Sequence, residues 1–227
     1  MAEHKLRHDV ISIRKKGAVT YGGSQKLSEN KVIQSSGCGL VAAGDLFLYM
    51  HRNLEGCNCN LFASLPSSGP VDIHEYNDIL NSLRTYFPLI PNYGINGLML
   101  SLGINAFFIK HSFPYRAMWG VRSDRLWERI EEMLSRDIPV IISVGPNLSL
   151  NRLKFKADLY TKKKDGTFIR NAKVCAHFMT LTALDDEWLT VSSWGRKYFI
   201  RRWDYSIYVK HHSGSIFSNI VYITRNN

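Results

Sequence analysis

Long apolar runs are missing from this sequence. No stretch of about 18 apolar residues occurs, so nothing in it predicts a membrane-spanning helix. The N-terminus, MAEHKLRHDVISIRKKGAV, carries charge but no apolar segment of signal-peptide length. The chain is therefore expected to be cytoplasmic, with secretion after removal of an upstream signal left open. Cysteine is scarce, with four in the chain: Cys38, Cys57, Cys59 and Cys175. Cys57-Asn58-Cys59 is too tight for an easy mutual disulfide, and no second Cys/His pair stands at zinc-finger spacing. A disulfide framework and a zinc finger are both excluded, and reduced thiols in a reducing compartment are expected. No metal or cofactor is called for.

Acidic residues are also few, 19 Asp and Glu against 29 Lys and Arg, for a formal net charge of +10. That excess favours acidic partners in general. The cations cluster at Lys154, Lys156, Lys162, Lys163, Lys164, Arg170 and Lys173, and again at Arg196, Lys197, Arg201 and Arg202. With no zinc finger, Walker loop or aromatic-basic motif beside them, they read as a solvated strand face and hairpin tip rather than a nucleic-acid site. Internal repeats and low-complexity tracts are absent too. What the chain does have is an ordinary globular balance, 45% hydrophobic and 12% aromatic over 227 residues, enough to build one domain or two small lobes around a cleft.

Gly22-Gly23 and Ser35-Ser36-Gly37 are turn signals in an otherwise weakly periodic first stretch. From Cys38 the pattern changes: Leu40, Val41, Ala43, Leu46, Phe47 and Met50 recur near helical spacing, predicting a largely buried helix that opens at Cys38. Asp45 and Glu55 are read as solvated. Asp72 and Glu75 form a capping box for the next helix. GINGLMLSLG reads as a short helix and NAFFI as a strand. Ser123 or Asp124 caps a helix over RLWERIEEMLSR, and PVIISVG follows as a buried strand. Beyond it AHFMTLTAL, EWLTVSSW, KYFIRRW and NIVYIT read as strands, with turns at Asp185-Asp186 and Gly195-Arg196. Helices first and antiparallel sheet second make an α+β chain. It is expected to form a single domain over 1–227, with a mainly helical lobe over 1–137 and an antiparallel sheet lobe over 138–227.

Thiol catalysis needs a thiolate near neutral pH, and a helix N-terminus beside an imidazolium supplies one. Cys38 follows a glycine-containing turn and opens an apolar helix. His177 opens the first strand of the later sheet, and a hairpin at Asp185-Asp186 brings Ser192-Ser193 near it, where a group orienting the imidazole belongs.

GCGLVAAGDLFLY, SRDIPVIISVG, CAHFMTLTAL and LTVSSWGRKYFI, in that order, resemble the papain-like cysteine peptidases. The closest likeness is to bacterial double-glycine-leader (bacteriocin-processing) peptidases and their stand-alone relatives. It spans roughly residues 20–205, with 51–120 matching only loosely. The resemblance implies a papain-like fold, a helical part packed on an antiparallel sheet, and a cysteine peptidase with a peptide or protein substrate. It places the nucleophile on Cys38 and the base on His177. Its Asn or Asp falls on Ser192, a departure, with Asp185 or Asp186 as substitutes only if the hairpin bends unusually. Its oxyanion-hole glutamine falls on Gln25, with Gln34 the close alternative. Acyl transfer or deamidation through the same Cys-His pair, and a catalytically weak module binding an acidic protein or peptide, are the competing readings. Oligomeric state and cleavage specificity are left open.

Overall fold

A computed structural model describes residues 3–148 and 155–226. Lys154, one of the clustered cations, lies outside the described residues. The strands are β1 (His4–Lys5), β2 (Ile13–Lys15), β3 (Ala18–Val19), β4 (Val71–Asp72), β5 (Tyr115–Trp119), β6 (Val140–Val144), β7 (Ala157–Lys162), β8 (Phe168–Val174), β9 (His177–Leu184), β10 (Trp188–Ser193), β11 (Arg196–Arg201) and β12 (Ile220–Arg225). The α-helices are α1 (Lys31–Ser36), α2 (Cys38–Asn53), α3 (Ile73–Leu83), α4 (Gly97–Lys110), α5 (Leu126–Ser135) and α6 (Arg202–Tyr208).

The molecule is α+β, with helices packed on a large antiparallel sheet. Its strand order is β5-β12-β6-β9-β10-β11-β7-β8, and β1 adds to the far end of β9. A small second sheet joins β3, β2 and β4. The sheet draws β1 and β5 from the first 137 residues, and α6 sits among the later strands, so helix and strand interleave along the chain. Among the described residues no helix is long and apolar enough to cross a membrane.

The central strand β9 is buried along its whole length because β6 and β10 flank it and α2 packs on it. Helix α2 is itself buried from Gly39 to Met50. It is apolar nearly all round, as a helix inside a core must be. Phe47 of α2 stacks on Phe107 of α4 at 3.8 Å between centroids, with Phe62, Phe87 and Phe108 around them.

That aromatic cluster corrects one expectation. NAFFI is the second half of α4, not a strand: Leu100, Ile104, Phe107 and Phe108 share one buried helical face. Likewise KYFIRRW leaves the sheet at Arg201, and Arg202-Trp203 open α6. The Asp72–Glu75 capping box of α3 forms as read. Neither Ser123 nor Asp124 caps α5; the Asp124 carboxylate is taken by Arg122 at 3.0 Å, and a 3-10 turn leads into the helix. Strands β7 and β8 form the expected basic hairpin, with Lys163 and Lys164 exposed at its turn.

Candidate active site

The Asn30 side chain starts α1 by accepting from the N–H groups of Val32 and Ile33. The chain then passes through Gly37 into α2 with almost no break. A side chain at Gly37 would bring Cβ within 2.5 Å of the Ile33 carbonyl oxygen, so glycine permits this tight junction. The junction leaves Cys38 in the first turn of α2, partly exposed at the mouth of a cleft, while the helix beyond it is buried.

Cys38 and His177, far apart in the sequence, line the same cleft. The cleft is narrow, with about 10 Å³ of free volume, and is walled by Gly23, Gln25, Asp45, Phe178, Ser192, Ser193 and Trp194 among others. The backbone N–H groups of Cys38, Gly39 and Phe178 point at the sulfur and favour its thiolate. Burial outweighs them and holds the thiol above its ordinary value. The His177 imidazole is pushed down to about 4, first by burial and then by the charge of Lys26. Among the described residues no hydrogen bond joins thiol to imidazole. Both shifts favour the neutral thiol and the neutral imidazole over an ion pair.

The side chain that meets a His177 ring nitrogen is Ser193. Its Oγ lies 2.8 Å from His177 Nε2. Ser192, the residue that the sequence suggested, turns the other way and donates to the Tyr21 carbonyl at 2.9 Å. The cause is a β-bulge between Thr190 and Val191. Before it Leu189 pairs with Leu184 and Thr190 with Ala183; after it Val191 pairs with Leu181 and Ser192 with Thr180. One extra residue exchanges the two faces of the strand, so Ser193 takes the face of His177. Asp185 is not in the site either: its carboxylate caps the β9–β10 turn by accepting from the N–H groups of Glu187 and Trp188.

Trp194 and Gly195 close the β10–β11 hairpin with φ of 49° and 75°. Two positive φ values are the signature of a two-residue type I′ hairpin turn. Trp194 in this unusual backbone conformation lays its ring against His177, 4.7 Å between centroids, and shields one side of the imidazole. Gln25 lines the cleft, and one N–H of its side-chain amide donates to the Gln34 carbonyl at 2.9 Å. Gln34 is exposed and donates instead to the Ser28 carbonyl, outside the cleft. The geometry therefore separates the two glutamines.

Asp45, expected to be solvated, is buried on the floor of the cleft. It accepts from Gly23 N–H and from the Tyr76 hydroxyl, both at 2.8 Å. Burial raises its carboxyl to about 7 against those two donors. Gly23 is held at its other side by the Gly195 N–H, and Tyr21 N–H returns to the Gly195 carbonyl. The glycine loop that carries Gln25 is thereby tied both to α2 and to the turn that carries Trp194.

Neither sequence nor structure comparison finds a match. No family model fits the chain, and neither a curated protein nor a solved structure is significantly similar to it. The chemistry must be read from the cleft alone. Among the described residues no group of three or more His, Cys, Asp or Glu side chains is arranged to hold a metal ion. Sequence reasoning missed Trp194 and Asp45, and it named Ser193 only as the neighbour of Ser192. The SSWG motif marked the right segment, and the resemblance placed the role on Ser192, whereas the bulge gives the His177 face to Ser193.

Proposed function

We propose that this chain is a papain-like cysteine peptidase that hydrolyses a peptide or related amide bond through a Cys38 thioester. One observation carries the reading: Cys38 opens a buried helix and shares a cleft with His177, whose Nε2 lies 2.8 Å from Ser193 Oγ.

In this mechanism His177 donates Nε2–H to Ser193 Oγ, which leaves Nδ1 as the base. As Cys38 Sγ bonds to the substrate carbonyl carbon, its proton passes to Nδ1. A neutral thiol and a neutral imidazole suit this concerted route, since the base is free to accept at neutral pH. The Cys38 N–H and the second N–H of the Gln25 amide meet the developing oxyanion. The C–N bond then breaks, and the departing amine takes the proton from Nδ1. Water adds to the thioester with His177 again as base, the C–S bond breaks, and the acid leaves with the thiol restored.

A second reading has its own observation. The raised thiol and the absence of a charged partner on His177 fit a module of the same build that binds peptides without cleaving them. Incubation with a diverse peptide library and mass spectrometry of the products separates the two. The peptidase reading expects new termini with the native chain and none with Cys38→Ala. No cleavage, or equal cleavage by both, refutes it.

A further inference from the structure

Three cations, Lys26, Arg196 and Lys197, flank the turn that lays Trp194 against His177. The Lys26 ammonium sits 5.4 Å above the Trp194 ring, and its field reaches the His177 imidazole. Arg196 stands directly across the β10–β11 ladder from Ser193, so their side chains share a face of the sheet. Lys197 lies on the opposite face, over the Tyr21 ring at 4.6 Å. All three are exposed, and among the described residues none is in an ion pair. Two acidic groups oppose them. Asp9 acts on Tyr21, the ring beneath Lys197. Asp45 lines the cleft floor, but its oxygens are taken by Gly23 and Tyr76.

His177 must protonate the leaving amine, so the part of the substrate that follows the scissile bond lies on the His177–Trp194 side. We propose that the cleft selects peptides with a carboxylate just C-terminal to the scissile bond, received chiefly by Lys26 and Arg196. This deepens the peptidase reading and rests on it. It also gives the substrate a part in activation. A carboxylate beside Lys26 screens the charge that opposes protonation of His177, and the imidazole becomes a stronger base once the correct substrate is bound.

The test uses one cleaved peptide made with Glu, Gln or Lys at the first position after the scissile bond. The expected order of kcat/KM is Glu over Gln over Lys, about tenfold between the extremes at low ionic strength. Salt at about 0.5 M compresses it. Lys26→Glu reverses the order, while Lys163→Glu on the distant β7–β8 turn leaves it intact. In Lys26→Ala the acid limb of kcat/KM moves to higher pH. An order that favours Lys, or one unmoved by Lys26→Glu, overturns the selection and leaves the peptidase reading standing. If no peptide is cut, the peptidase reading fails, and the same three peptides are compared by fluorescence anisotropy. Tighter binding of the Glu peptide that is lost in Lys26→Glu supports the charge selection; equal binding of all three overturns it.

Discussion

Replacing Asp45 by Asn should remove a pH dependence of folding that the buried carboxyl is expected to confer on the native chain. The Asp45 carboxyl rises from 3.8 to about 7 in the fold, chiefly because burial penalises its charge. Between those values the folded chain keeps a proton that the unfolded chain has released. Stability from this group is therefore fully present below about 3.8 and is lost as pH climbs to about 7. Between pH 5 and 8 the loss is at most about 3 kcal/mol, from about 2 pH units at 1.36 kcal/mol each. Asn mimics the protonated acid: its carbonyl accepts from Gly23 N–H and its amide donates to the Tyr76 oxygen. Urea unfolding of both proteins at pH 5 and pH 8 measures the difference. The native chain should lose roughly 2–3 kcal/mol more than Asp45→Asn across that range, other groups cancelling in the comparison. Equal losses would refute the argument that a desolvated carboxyl lies under the glycine loop.

The two adjacent serines should separate. Ser193→Ala removes the hydrogen bond to His177 Nε2 and is expected to lower kcat about 10- to 100-fold, since the imidazole becomes charged in the transition state, and to cost about 1–3 kcal/mol of stability by leaving the buried ring nitrogen without its partner. Ser192→Ala should cost about 1 kcal/mol of stability through the Tyr21 carbonyl and leave kcat within about threefold. The pH profile of kcat/KM should rise near 4, as His177 loses its proton, rather than near the ordinary imidazole value. Gly23→Ala places Cβ 1.8 Å from the Tyr76 hydroxyl and should destabilise by about 1–3 kcal/mol, a cost that shrinks in a Tyr76→Phe background. Thermal melts of the three variants check it.

How much of this was legible in the sequence depends on how local each signal is. The α3 capping box and the β9, β10 and β12 strands rest on spacing within a few residues, and they form as read. Cys38 was visible because its helix changes the pattern at one residue. NAFFI misled because β-branched and aromatic residues favour strands until a neighbouring helix buries them, as α2 does through Phe47. Strand β5 and helix α6 went unread for the same reason: partners distant in the chain stabilise both. Asp45 looked solvated because a single acid in an apolar helix reveals nothing of the Tyr76 hydroxyl and Gly23 N–H that face it. The hairpin turn at Asp185-Asp186 places Ser192-Ser193 together beside His177, and the family resemblance picks Ser192; the Thr190/Val191 bulge, which no sequence pattern announces, gives the His177 face to Ser193.

The central claim is that His177 serves Cys38. It is tested most directly by the rate at which a peptidyl electrophile, one that places its reactive carbon at the scissile position, modifies Cys38 at neutral pH. The site of modification is read by mass spectrometry, and iodoacetamide serves as a reagent that needs no cleft. Slow alkylation of Cys38 by iodoacetamide is expected, since the thiol is held above its ordinary value, with peptidyl modification at least about 100-fold faster that collapses in His177→Ala. Equal peptidyl rates with and without His177 would contradict it.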